Sequence, residues 1–181
     1  MSVYPPLARA LHWASLALLI VILLAVWLPE DADSETAYAW RIMLHRSAGL
    51  LLFGITVVRL AARFLLGAPP LPPELPRLQR LAARANVAAL YALLLAQPGL
   101  GLLHSQAAGD TVRFLGLFTI PALVGRDRGL ARTTLEWHET SAILLLVLVG
   151  MHALAALYRH HVRRDGVLTA MLPGLRHNPP G

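Results

Sequence analysis

Four histidines lie inside apolar stretches long enough to cross a membrane: His12, His45, His138 and His152. Ionisable groups are costly inside a bilayer and usually functional there, and neutral imidazole is a common axial ligand of haem iron. His138 and His152 stand fourteen residues apart in one continuous helix candidate. At about 1.5 Å per residue that is roughly 21 Å along the axis, and fourteen steps of about 100° return to within roughly 40° of the same face. One helix therefore presents two imidazoles on one side, at two depths. The other two histidines can supply the opposite ligands, an arrangement that would carry electrons across a membrane.

The composition fixes what kind of scaffold can hold these residues. The chain has 181 residues, of which 56% are hydrophobic and 14% charged, and its mean hydropathy is +0.57. Soluble domains average about 25% charged residues, so the chain reads as several membrane spans with no large soluble domain. There is no cysteine, which excludes disulfides, thiolate-ligated haem, iron–sulfur clusters and covalent haem attachment; any haem is held non-covalently. All 16 basic residues are arginine and the net charge is +6. The arginines are scattered beside apolar spans, the pattern of membrane-flanking charge and not of nucleic-acid binding.

Four stretches reach the roughly 20 residues that a 30 Å hydrocarbon core requires: 7–28, 40–66, 81–103 and 134–158. The first continues without a small-residue cleavage site and is expected to be retained as a span. It ends at Pro29 and the acidic run Glu30, Asp31, Asp33 and Glu35. A proline-rich linker, 68–76, separates the second and third spans, and Pro98, Gly99 and Gly101 mark a candidate kink in the third. The stretch 114–124 is apolar but too short to span, and reads as an interfacial segment. A basic tail, 159–181, follows the last span. There is no internal repeat. The expected fold is an all-α, four-helix membrane bundle enclosing two b haems, a single domain over 1–181.

Arginine asymmetry sets the expected orientation. With both termini on one side, that side carries Arg9, Arg59, Arg63, Arg77, Arg80, Arg84, Arg159, Arg163, Arg164 and Arg176 against two acids, Glu74 and Asp165. The opposite side carries six arginines and eight acids. The arginine-rich side is expected to be cytoplasmic, with the chain in a bacterial inner membrane. Depth then assigns partners: His45 with His138 toward the outside, His12 with His152 toward the cytoplasm. His104 has no depth partner; it could replace His45 or bind nothing. Gly49 and Gly150 lie close to ligand candidates and would allow a macrocycle or a helix to approach. Arg46 and Arg59 are candidates for haem propionates, with interfacial snorkelling the simpler reading for Arg59. Glu139 follows His138 but points about 100° away, as an interfacial acid or a proton-handling group. His177 in the tail has no assigned role.

These residues resemble the bacterial di-haem cytochrome b561 family over about residues 7–173. The motifs are Ala10-Leu11-His12-Trp13, His45-Arg46-Ser47-Ala48-Gly49-Leu50 and Trp137-His138-Glu139. To these is added the block from His152 to Leu168, followed by Met171-Leu172-Pro173. The resemblance implies two b haems with His12, His45, His138 and His152 as axial ligands, and electron transfer with ubiquinone. One type in the family is a superoxide oxidase, which takes electrons from periplasmic superoxide. The chain departs from the family pattern in two places. Arg159 stands where the first histidine of a His-His-aromatic motif is expected, with His160 keeping the second place. Asn86 stands where a histidine often precedes the Leu90-Tyr91 pair.

Three functions follow for comparison. The first is a superoxide:ubiquinone oxidoreductase, with Arg126, Arg128 and Arg132 drawing the anion to the outer face among Asp110, Asp127 and Glu136. A quinone site is then expected at the cytoplasmic end, where Arg159 or His160 can donate to a carbonyl. His160 and His161 otherwise read as a headgroup-facing cluster. The second is a haem b electron-transfer subunit anchoring a hydrogenase or another dehydrogenase to the quinone pool. The third is a haem-free structural or transport bundle, which leaves four depth-matched histidines unexplained. No catalytic residue is assigned, and a homo-oligomer or a respiratory partner is left open.

Overall fold

The computed structural model describes residues 4–27, 34–67, 75–164 and 168–172. The acidic run Glu30, Asp31 and Asp33, linker residues 68–74 with Glu74, and Asp165, Pro173, Arg176 and His177 lie outside the described residues. Four long helices make the fold, each long and apolar enough to cross a membrane. They are α1 (Pro6–Trp27), α2 (Glu35–Leu66), α3 (Arg77–Ala108) and α4 (Arg128–Tyr158). A single π-helical turn, Arg159–Arg163, continues α4. The pattern of packing runs α1 on α2, α2 on α3 and α3 on α4.

Three helices extend beyond the expected spans: α2 starts five residues early, α3 covers 77–108 against 81–103, and α4 starts at Arg128 against 134. For α2 and α4 the cause is capping. Ser34 Oγ accepts from Ala37 N at 3.3 Å, and Asp127 Oδ1 accepts from Leu130 N at 3.0 Å, so each helix is satisfied at a polar residue outside the apolar window. A hydropathy window registers only the part that needs lipid, whereas 32 residues span about 48 Å. Helix α3 runs through Pro98 without interruption.

The bundle is turned inside out relative to a soluble one. Leu65, Phe64, Ile143, Leu154 and Trp137 are among many large apolar side chains facing outward, which is the surface a bilayer solvates. Among the described residues the buried set is rich in small and polar groups: Ser15, Ser47, Thr56, Ser105 and Thr134. Thr56 Oγ1 donates to Leu52 O at 2.7 Å and Ser15 Oγ to Leu11 O at 2.8 Å, so these hydroxyls are satisfied within their own helix while backbones approach. The apolar centre is Leu19, Leu52 and Leu145, with Leu18, Ile22, Leu90 and Val149 packed against it.

The connection from α3 to α4 is ordered and is not helical. It contains a two-stranded hairpin, β1 (Arg113–Phe114) with β2 (Phe118–Thr119), in which Arg113 faces Thr119 and Phe114 faces Phe118. Leu115 and Gly116 both take positive φ in its turn. The apolar stretch expected at the interface therefore folds back over the helix ends. Ser47 of α2 accepts from Leu115 N at 2.8 Å, and Arg46 pairs with Asp110. Gln106 clamps the far side: its Nε2 donates to Pro121 O at 3.0 Å and its Oε1 accepts from Leu123 N at 2.9 Å. Gln106 is buried, so removing it strands two backbone groups. Gln106→Ala is expected to destabilise the loop by about 2 kcal/mol and to raise hydrogen exchange at the Leu123 amide. Unchanged exchange there would show that the clamp is dispensable.

Candidate haem-binding site

The four intramembrane histidines come from α1, α2 and α4, and the fold brings them together in two pairs. His45 and His138 have ring centroids 6.2 Å apart; so do His12 and His152. The expected pairing is the one found. Two imidazoles binding one metal from opposite sides, with bonds of about 2 Å and each centroid about 1.2 Å behind its nitrogen, would stand about 6.4 Å apart. Both pairs match that separation, so the residues present fit a bis-histidine haem at each depth. The ring planes are inclined at 76° and 51°.

The outer pair is held by backbone carbonyls. His45 Nδ1 lies 3.1 Å from Ile22 O, and His138 Nδ1 lies 3.1 Å from Gln97 O. A carbonyl can only accept, so each Nδ1 carries the proton and each Nε2 keeps its lone pair, the tautomer a metal ligand needs. Gln97 adds a second hold on α4, as its Nε2 donates to His138 O and Ser141 Oγ, both at 3.0 Å. One turn on from Gln97, Gly101 lets α3 pass the His138 ring: a Cβ there would lie 3.2 Å from His138 Cε1. On α2, Gly49 shares the face of His45 one turn away, and a Cβ there would meet nothing within 4 Å, room for a flat macrocycle edge.

The inner pair is wired differently. Arg59 of α2 reaches inward, with Nη2 3.1 Å from His12 Nδ1 and Nη1 donating to Ser15 Oγ at 3.0 Å. Its guanidinium carbon lies 5.6 Å from the centre of the Tyr91 ring. The simpler expectation, that Arg59 snorkels to the interface, is therefore corrected: two hydrogen bonds and an aromatic face hold it inside the bundle. Arg46, by contrast, is taken up by Asp110 at the outer loop.

The remaining sequence candidates are placed elsewhere. His104 Nδ1 bonds Ala131 O at 2.9 Å, which joins α3 to α4 and keeps this histidine out of either pair. Glu139 is exposed. His160 and His161 sit in the π-helical turn with ring centroids 4.8 Å apart, and Arg159 and His160 are half-buried there. Below His12, Trp13 Nε1 donates to Met171 O at 2.8 Å and Arg9 Nη1 to Leu172 O at 3.3 Å, which ties the 168–172 turn to α1. Outside the bundle, Arg132 is paired with Glu136. Sequence reasoning missed Gln97 and Ser15, and met Tyr91 only as part of the Leu90-Tyr91 motif. Gln97 carried a signal, a polar side chain within an apolar span.

Comparison with known proteins shows the family. The family model described as "Prokaryotic cytochrome b561" matches residues 3–174. "Cytochrome b561 homolog 2" of Escherichia coli (strain K12) is 33% identical over 171 residues, 93% of this chain and 90% of that protein. "Cytochrome b561 homolog 1" of the same organism is 28% identical over 167 residues, 90% of this chain and 93% of its own length. "Probable superoxide oxidase CybB" of Yersinia pestis is 27% identical over 173 residues, 96% of this chain and 97% of that protein. With four membrane-length helices and histidines paired between them, the chain belongs to the prokaryotic cytochrome b561 family, membrane electron-transfer proteins that use b-type haem.

Proposed function

We propose that this chain is a di-haem b cytochrome that takes electrons from superoxide on the outer face and reduces ubiquinone on the cytoplasmic face of a bacterial inner membrane, with both termini cytoplasmic. The observation that carries it is the repeated 6.2 Å separation of two histidine pairs at opposite depths along α4. The similarity to a protein named a probable superoxide oxidase supports the choice of donor. In balance, two superoxide anions, one quinone and two protons give two dioxygen molecules and one quinol. Haem held by these residues supplies one-electron redox chemistry.

The chain's own residues do the rest. His45 and His138 would hold the outer group and His12 and His152 the inner one. The Ile22 and Gln97 carbonyls would fix the tautomer and aim of the outer rings. Leu19, Leu52 and Leu145 keep water out between the two depths. Among the outer arginines, Arg132 is engaged by Glu136, which leaves Arg126 and Arg128 as the charges for anion attraction. Arg59 would meet a haem propionate. His12, whose Nδ1 lies 3.1 Å from Arg59 Nη2, would hold the inner group through Nε2 only as the Nδ1–H tautomer, with the Arg59 guanidinium then free for a propionate. At the cytoplasmic end, Arg159 or His160 in the π-helical turn would donate to a quinone carbonyl, and π turns recur at functional sites.

Pyridine haemochrome assay against protein mass is expected to give two b haems per chain. Spectra of His45→Ala and His138→Ala should match each other, as should those of His12→Ala and His152→Ala; a match across the pairs would overturn the two-layer assignment. Arg59→Leu removes a cation beside the inner centre. Charges about 8 Å apart at an effective dielectric of about 20 interact by about 2 kcal/mol, so the inner midpoint potential should fall by roughly 90 mV and the outer one stay put. Equal shifts in both would place Arg59 outside the inner layer. Arg159→Ala and His160→Ala should slow quinone reduction with haem content intact. Wild-type quinone kinetics in both would remove the quinone site from this turn.

A further inference from the structure

A cleft of about 280 Å³ opens between α2 and α3 in the half of the bundle that holds the inner histidines. Leu60 and Arg63 line it from α2; Arg84, Val87, Ala88 and Tyr91 line it from α3. Arg63 lies one turn past Arg59, and Arg84 two turns before Tyr91, so the two arginines stand about 6 and 10 Å toward the helix ends from the level of Arg59 and Tyr91. The two arginines thus stand on the side of the cleft nearer the helix ends, beside Phe64, with Leu60, Val87, Ala88 and Tyr91 deeper. Arg63 and Arg84 are exposed, and neither has a hydrogen bond or an ion pair to any described residue.

The chemistry selects the occupant. Two uncompensated guanidiniums from adjacent helices suit one phosphate, which the planar fork of arginine recognises better than a neutral acceptor. The apolar strip below them suits a hydrocarbon chain. A neutral quinone head would leave both charges uncompensated, and free phosphate would leave the apolar strip unused. We infer that the α2–α3 cleft binds one anionic phospholipid, its phosphate between Arg63 and Arg84 and an acyl chain along Leu60, Val87, Ala88 and Tyr91. Basic pockets between membrane helices take anionic lipids in this way. Arg59, which lies 3.1 Å from His12, also lies over the Tyr91 ring, so the lipid would pack against a ring that helps hold Arg59. The assignment does not depend on the donor or acceptor of electrons.

The test uses the haem-loaded protein in a neutral detergent and native mass spectrometry, titrated with phosphatidylglycerol or with phosphatidylcholine of the same chains. One phosphatidylglycerol is expected to bind at least tenfold more tightly than phosphatidylcholine. The double variant Arg63→Gln/Arg84→Gln should lose that tenfold preference, while Arg77→Gln/Arg163→Gln, which removes the same charge elsewhere at this end, should keep it within twofold. The visible spectrum of each variant reports that the fold is intact. In the unaltered protein, a phosphatidylglycerol with a photoreactive chain should label residues near 84–91. Equal losses in both double variants, labelling spread over all four helices, or displacement of the lipid by inorganic phosphate or a soluble ubiquinone would each overturn the assignment. In the last case the cleft is a quinone site, and the variants' quinone kinetics would show it.

Discussion

Four imidazoles in hydrocarbon are the constraint on which this structure turns. Each brings two polar nitrogens to a medium that offers no water to satisfy them. The outer pair meets this by giving each Nδ1–H to a backbone carbonyl of a neighbouring helix, Ile22 of α1 and Gln97 of α3. Those bonds do more than satisfy a donor. They fix the tautomer, aim the ring and tie α2 to α1 and α4 to α3. Much of the bundle geometry is therefore the geometry that holds these rings.

The two depths are equal in spacing and unequal in surroundings. Outer histidines face neutral acceptors; His12 faces a guanidinium. With haem at both depths, as proposed, a buried cation beside the inner one would favour its reduced form, and so electron flow toward that half. Between them lies a layer of leucine. Leu52 is seven residues from both His45 and Arg59, and Leu145 is seven from both His138 and His152. Seven residues are close to two turns, so the polar layers and the apolar layer fall on one face of the same helices.

The ends of the bundle are built by different means. The outer end is covered by an ordered loop clamped through Ser47, Gln106 and the Arg46–Asp110 pair. At the other end Trp13 and Arg9 tie the 168–172 segment to α1, and the π-helical turn continues α4. The apolar length of each helix dictates neither arrangement; both depend on side chains that bond to distant backbone.

Much of the fold was legible in the sequence. Apolar runs of about 20 residues can satisfy their backbone in a bilayer only as helices. Arginine asymmetry then suggested the direction of each run, and direction fixed the depth of each histidine. The partners His45 with His138 and His12 with His152 follow from depth alone, and the structure brings those rings together. Helix ends were less legible, because caps such as Ser34 and Asp127 lie outside the apolar windows. Only the tertiary structure decided where Arg59 goes, since an arginine near a helix end can reach lipid headgroups or a neighbouring helix equally well, and Ser15 and His12 are 44 and 47 residues away. The same holds for Gln97, His104 and the α2–α3 cleft. Each depends on which residues of separate helices meet, and one-dimensional spacing carries depth but not the rotation of one helix against another.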